Sequence, residues 1–324
     1  MGSLQTAEDS QPTPVLAGTL SQRKPAPLWW RVYSGWANRH RNWVLTGPAL
    51  LFVGLLIIVP LCYTLFLSFT NARDNLDLSN MKLVGFTNYA EVLTDTTRFW
   101  PAAGRTVLFT VVVVALEMAL GMGIALLLRR PFVGQKFVRG IILLPLVATP
   151  VAVGMMWRLI FEPTIGFANQ MLKWIGLPRQ GWVSDPKQAL PTLMFVDVWQ
   201  WTPMVILILL AGLASLPEEP EEAALIDGAS TWKRFWYVTL PLLRPTVVAA
   251  LVLRTIDAFK TFDILFSMKG AGGGSLHEVE TINIYAYTEN FFYTRYGQAA
   301  AILVVFFVMV LMLLALQFLN RTKA

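Results

Sequence analysis

The chain has 324 residues, of which 55% are hydrophobic and only 14% charged, with a mean hydropathy of +0.55. Soluble domains carry about 25% charged residues, so the composition excludes an ordinary soluble enzyme and a disordered chain. A net charge of +6 in so apolar a chain reads as basic flanks of membrane helices rather than as a nucleic-acid surface. The single cysteine, Cys62, excludes a disulfide framework, and two histidines, His40 and His277, argue against a histidine-rich metal site.

Residues 1–42 form a polar extension containing Pro12, Pro14, Pro25 and Pro27, predicted to be disordered in its first part. A bilayer core of ~30 Å takes about 20 apolar residues of helix, and six later segments meet that length. In order they are Trp43 to Ser68, Val107 to Leu128, Ile141 to Ile160, Leu190 to Leu213, Thr246 to Phe266 and Ala299 to Leu319. The first is too long for a signal-peptide core, and no cleavage site follows it. The chain therefore reads as an all-α integral membrane protein of six transmembrane helices over residues 43–320, with a tail at 321–324.

Lys and Arg set the orientation. The tight turn between spans two and three holds Arg129, Arg130, Lys136 and Arg139. The stretches on the same side as this turn carry more Lys and Arg than the alternating set. The positive-inside rule then puts both termini in the cytoplasm.

The one long internal loop, 214–244, lies on that side. Ser215 with Glu218 fits a capping box, and Pro217, Pro220 and the neighbouring glutamates suit a helix start. Gly228 suits a helix end and Ser230 a second cap. The expectation is a helix-turn-helix. Within it stand Glu222-Ala223-Ala224, three residues, Gly228, nine residues, and Val238-Thr239-Leu240-Pro241.

This spacing resembles the EAA loop of the permeases of binding-protein-dependent ABC importers, with Val in place of the family's Ile. The resemblance extends over about residues 43–320 and is nearest to the carbohydrate-uptake branch, the maltose-type and glycerol-phosphate-type permeases. Supporting stretches are Phe86-Thr87-Asn88-Tyr89, Leu144-Pro145, Trp199 with Pro203, and Arg254 to Asp263. One departure is Lys269-Gly-Ala-Gly-Gly-Gly-Ser275, where many relatives have a glycine run closed by proline.

The resemblance implies that Glu222, Ala223, Ala224 and Gly228 form a coupling helix in the cleft of an ATPase subunit, and that Leu240 and Pro241 set the re-entry into span five. It implies a second six-span permease, two ATPase subunits and an extracytoplasmic solute-binding protein as partners, in a bacterial inner membrane. No G-x-x-x-x-G-K-[ST] sequence occurs in the chain, so no cofactor is expected on it; ATP and Mg would sit on the ATPase subunits. The expected cargo is a sugar or related polyol. A stand-alone secondary sugar transporter driven by an ion gradient is the alternative, and it offers no reason for the EAA spacing.

Charges inside spans are costly, so they face a cavity or pair. Arg254, Asp257, Lys260 and Asp263 recur every three residues with alternating sign. They lie on neighbouring helical positions and can neutralise one another; they read either as the lining of the pathway or as an internal ion-pair ladder that holds span five against its neighbours. Glu117 and Asp197 are lone acids in spans two and four, suited to a hydrogen bond with a neighbouring helix or to the pathway. Phe195, Trp199 and Trp201 surround Asp197; aromatic faces stack on sugar rings, and tryptophan is equally at home near membrane interfaces. Of these, Trp199 has the stronger case, since it lies in a stretch carrying the resemblance.

Overall fold

A computed structural model describes residues 41–73 and 81–322. Most of the N-terminal extension and the last two residues of the tail lie outside the described residues. The chain divides at Pro60 into two units, Met1–Pro60 and Leu61–Ala324. In the first, the described part is the opening of α1 (Arg41–Ser68), an apolar helix.

In the second unit the helices follow in order: α2 (Thr87–Thr94), α3 (Phe99–Arg129), α4 (Gln135–Val147), α5 (Pro150–Ile160), α6 (Phe167–Trp174) and α7 (Pro186–Ala214). The loop helices α8 (Glu219–Ile226) and α9 (Thr231–Arg234) come next, then α10 (Leu240–Phe259), α11 (Asp263–Lys269), α12 (Ile282–Phe291) and α13 (Tyr296–Thr322). No strand occurs among the described residues; Thr70 and Leu83 form an isolated bridge.

Five helical runs among the described residues are long and apolar enough to cross a membrane, or six if the bent pair α4 and α5 counts as one. That pair corresponds to the third segment, expected as a single span. Instead it bends by 98° at Ala148 and Thr149. The cause is local: Pro150 lacks an N–H and pushes the residue before it out of the helical region, and Ala148 and Thr149 take ψ of 141° and 142°. The carbonyl that the break frees is not abandoned, because Gln200 Nε2 of α7 donates to Ala148 O at 3.1 Å.

The fifth segment also departs from expectation. Helical geometry ends at Phe259 and resumes at Asp263, so residues 246–266 are not one continuous helix. A π-helical turn, Phe235–Thr239, leads from α9 into α10.

The central packing is α3 against α7, with α10 alongside both. Small residues let the backbones approach: a Cβ on Gly121 of α3 would stand 2.7 Å from Val205 Cγ1 of α7, and one on Gly212 of α7 2.5 Å from Thr246 Cγ2 of α10. Without a hydrophobic drive between helices in lipid, close approach of this kind supplies much of the association. Phe109, Val113, Leu193, Val196 and Ile264 form the buried centre where α3, α7 and α11 meet.

Candidate functional site: a buried ion triad and a charged pocket

Glu117 stands in the middle of α3, Asp197 in the first half of α7 and Arg254 near the end of α10. All three are sealed from solvent, at 0%, 0% and 1% side-chain exposure. Arg254 Nε donates to Glu117 Oε2 at 2.6 Å and Nη2 to Glu117 Oε1 at 2.7 Å, a bidentate pair. Nη2 also donates to Asp197 Oδ2 at 2.9 Å. The guanidinium lies 5.2 Å from the Trp201 ring centroid. One cation thus holds an acid from each of two other helices, using the planar fork that suits guanidinium to carboxylates.

Arg254 does hold span five against its neighbours, as the ladder reading has it, but through acids on α3 and α7 rather than through Asp257. Arg254 turns to α3 and α7, not to Asp257, because two sealed carboxylates on neighbouring helices offer stronger, desolvated partners than an acid on the open side. Asp257 pairs with Lys260 at 3.4 Å, with both side chains about half exposed. Asp263 stands on a separate helix, at the start of α11. Glu117 and Asp197, read as lone acids, share one partner.

A pocket of about 250 Å³ opens beside the triad. Asp197, Trp201, Arg254, Asp257, Lys260 and Asp263 line it. Pro150, which ends the bend between α4 and α5, closes another wall. Asp197 Oδ1 is buried and has no hydrogen-bond partner among the described residues. Trp199 is not in this lining; its ring lies 5.4 Å from Trp157 in an edge-on contact and packs against the buried centre. The aromatic surface of the pocket comes from Trp201 and Phe262.

A second polar contact fixes the loop. α8 begins at Glu219 with Glu218 as its cap, and no side-chain cap bond forms. The expected capping box is absent because Ser215 Oγ is engaged behind it, donating to Gly212 O at 2.8 Å at the end of α7. Gly228 follows α8 with φ of 75°, the left-handed conformation that glycine takes without a Cβ penalty. Ser230 then caps α9, accepting from Lys233 N at 3.4 Å.

Glu222, Ala223, Ala224 and Gly228 lie together on this hairpin of helices, and no α8 residue is buried. Its anchor is Glu221, which the sequence reading passed over: Arg129 Nη1 at the end of α3 donates to it at 2.7 Å, and Thr239 Oγ1 at 2.9 Å. Partial burial pushes the Glu221 pKa up, but the hydrogen bonds from Arg129 and Thr239 and the Arg129 charge outweigh it and hold the group below the usual glutamate value. Leu240 and Pro241 open α10, with Pro241 in its first turn where no N–H is needed.

The opposite end of α3 is tied as well. Arg98 donates to Glu280 at 2.6 Å and to Glu289 at 2.8 Å, both acids fully buried. Burial holds the Glu289 carboxyl above the usual glutamate range, against the pull of Arg98 and Arg295. Glu280 follows the glycine run, in which Gly270, Gly272, Gly273 and Gly274 all have positive φ. Among the described residues, no group of three or more His, Cys, Asp or Glu side chains is placed to hold a metal ion.

A bundle of apolar helices around a sealed ion triad and a charged pocket defines a multi-pass membrane protein with a polar interior. Comparison with known proteins narrows that class. Residues 117–323 match the family model described as binding-protein-dependent transport system inner membrane component. The chain is 37% identical over 271 residues to the trehalose/maltose transport system permease protein MalF of Thermococcus litoralis, covering 83% of this chain and 90% of that protein. It is 31% identical over 290 residues to the trehalose transport system permease protein SugA of Mycobacterium tuberculosis, covering 89% and 91%.

In fold it is similar to a chain of a bacterial alginate ABC transporter solved in complex with an alginate pentasaccharide-bound periplasmic protein. That likeness has a TM-score of 0.73 at 22% identity and covers 87% of this chain and 95% of the other. The protein belongs to the family of inner membrane components of binding-protein-dependent transport systems.

Proposed function

We propose that this chain is one permease subunit of an ATP-driven importer that carries a sugar or sugar derivative inward across the cytoplasmic membrane of a bacterium. The loop 214–244 faces the cytoplasm, with both termini on the same side. Glu222, Ala223, Ala224 and Gly228 meet a separate ATPase subunit, and ATP and Mg are held there rather than on this chain. A second six-span permease, two ATPase subunits and an extracytoplasmic solute-binding protein complete the assembly.

The observation that carries the cargo reading is the pocket beside the triad. Asp257, Lys260 and Asp263 supply acceptors and a donor, Trp201 supplies an aromatic face, and the buried Asp197 Oδ1 is an acceptor without a partner among the described residues. Sugar hydroxyls suit the half-exposed Asp257 and Lys260, and a pyranose face suits the indole. The relatives named for trehalose and maltose transport support the same class of cargo. The pocket's cations are offset by its acids, which favours a neutral sugar over an anionic one.

The test is purification of the tagged chain in gentle detergent from its native membrane, with mass spectrometry of its companions. An ATPase subunit and a second permease are expected. The chain alone, active in proton- or sodium-driven uptake, would replace this reading with that of a secondary transporter. In the same cells Glu222→Lys should abolish uptake without loss of membrane insertion.

A further inference from the structure

A second cavity, of about 590 Å³, lies between the end of α1, α12 and the start of α13. That size is in the range of ~300–1,000 Å³ typical of small-molecule sites. Tyr287 and Phe291 of α12 and Phe262 contribute rings to its wall, with centroids 4.6 Å (Tyr287 to Phe291) and 5.1 Å (Tyr287 to Phe262) apart. Asn283, Tyr287 and Asn290 recur at helical spacing on one face of α12, so two carboxamides and a phenol flank the rings. Asn283 Nδ2 is engaged, donating to Lys260 O at 2.8 Å. The Asn290 carboxamide and the Tyr287 hydroxyl make no side-chain hydrogen bond among the described residues.

Two observations join this cavity to the charged pocket. Phe262 lines both. The Asn283 bond to Lys260 O fastens α12 to the residue that lines the charged pocket.

The occupant follows from the chemistry. A lipid tail would leave the Asn290 amide and the Tyr287 hydroxyl facing hydrocarbon with no partner, which is strongly unfavourable. A covering helix would have to bring polar side chains of its own to these groups, since its backbone satisfies itself. A pyranose ring presents an apolar face to aromatic side chains and a rim of hydroxyls to amides. We propose that the α12 cavity is a second saccharide subsite, which holds one sugar ring next to the charged pocket. This rests on the sugar-importer reading above.

The experiment uses the intact transporter in cells, with labelled maltose and trehalose as probes. In a Cys62→Ser background, which removes the only cysteine, Asn290→Cys is labelled with a methanethiosulfonate reagent. Labelling is expected to slow at least five-fold during transport of a probe that the cells accumulate. Tyr287→Leu should cut uptake at least five-fold at an unchanged membrane level, while Tyr287→Phe keeps at least half. Labelling unaffected by a sugar that is being accumulated overturns the subsite and leaves the importer reading standing. So does an Asn290→Cys thiol that the reagent never reaches, since the cavity is then covered by protein. If the unmodified transporter accumulates neither sugar, the same labelling is read with a sugar that it does accumulate; a transporter that accumulates no sugar or sugar derivative overturns the cargo reading, and the subsite falls with it.

Discussion

Arg254 is the residue whose loss should be felt most. It is 1% exposed and serves two carboxylates that are themselves sealed. Arg254→Leu fills similar volume but strands Glu117 and Asp197 side by side without a cation. Removing one partner of a buried pair costs about 3–5 kcal/mol, and the same range applies here because both acids then take up protons or draw in water. For a folded unit of this size a kcal/mol corresponds to ~2–4 °C of melting temperature, so the unfolding midpoint in detergent should fall by on the order of 10 °C.

Glu117→Gln is the contrasting change. It leaves Arg254 paired with Asp197 and keeps a hydrogen-bonding amide, so the drop should be under half as large. Combining the two should recover part of the loss, a coupling that a double-mutant cycle reads directly. Thermal unfolding of the purified protein, followed by size-exclusion of the surviving fraction, supplies the midpoints. A midpoint for Arg254→Leu within about 2 °C of the parent would refute the claim that this cation holds the three helices together.

Other expectations are more local. Gly228→Asn should preserve uptake, because asparagine tolerates the left-handed region, whereas Gly228→Val should lower it at unchanged insertion; a Cβ there meets nothing within 4 Å, so backbone strain alone separates the two. Gly121→Leu and Gly212→Val should each reduce the folded yield sharply, since their side chains would enter Val205 and Thr246; normal yield of both would show that these helices are not in close contact. Arg129→Gln and Glu221→Gln should perturb the loop by nearly the same amount and add little when combined, as judged by hydrogen exchange over residues 219–234. The Glu221 pKa is depressed in the folded protein, so its contribution is present above its unfolded value and is lost as pH falls through the lower, folded one. Loop protection should therefore be flat from about pH 5 to 8 and weaken below about pH 4; weakening already at pH 6 would contradict the pairing.

What was legible in the sequence is what local pattern encodes. Long apolar runs locate the membrane helices, and Ser230, Gly228 and Pro241 mark helix ends by their own backbone chemistry. Pro150 was visible in its segment, but a proline can kink a span mildly or break it. The 98° bend depends on Gln200, fifty residues away, accepting the task of satisfying Ala148 O. Helix starts ran earlier than hydropathy suggested, at Phe99 and Pro186 rather than Val107 and Leu190, because Arg105 and Thr106 in α3 and Lys187 and Gln188 in α7 dilute an apolar window.

Glu117 and Asp197 do bond to a neighbouring helix, as expected, but their shared partner was not legible from local spacing. A spacing of three is a local signal and invited a local pairing of Arg254 with Asp257. The true partners are set by which helices pack together, and nothing in the neighbourhood of residue 254 encodes that. Charge counting across spans would have found the signal: α3 and α7 each carry an acid, and Arg254 is the cation whose span can meet both.

The three polar clusters share one element. α3 begins beside Arg98, which grips Glu280 and Glu289; it carries Glu117 of the triad at its middle; and it ends at Arg129, which holds the loop through Glu221. From Glu117 to Arg129 the rise is roughly 18 Å of continuous helix. A helix is stiff along its axis, so a displacement of the α8 loop has to move the triad, stretch the Arg129–Glu221 pair, or bend α3. The triad in turn holds α7 and α10, whose side chains form much of the charged pocket. With α3 unbent, a loop that sways relative to the pocket would need at least one of two short ion pairs to break, at 2.6 Å or 2.7 Å. The triad is buried and bidentate, whereas the Arg129–Glu221 pair is part-exposed and the weaker of the two. Slippage between loop and pocket should accordingly begin at Arg129, and the triad should travel as one body with α3.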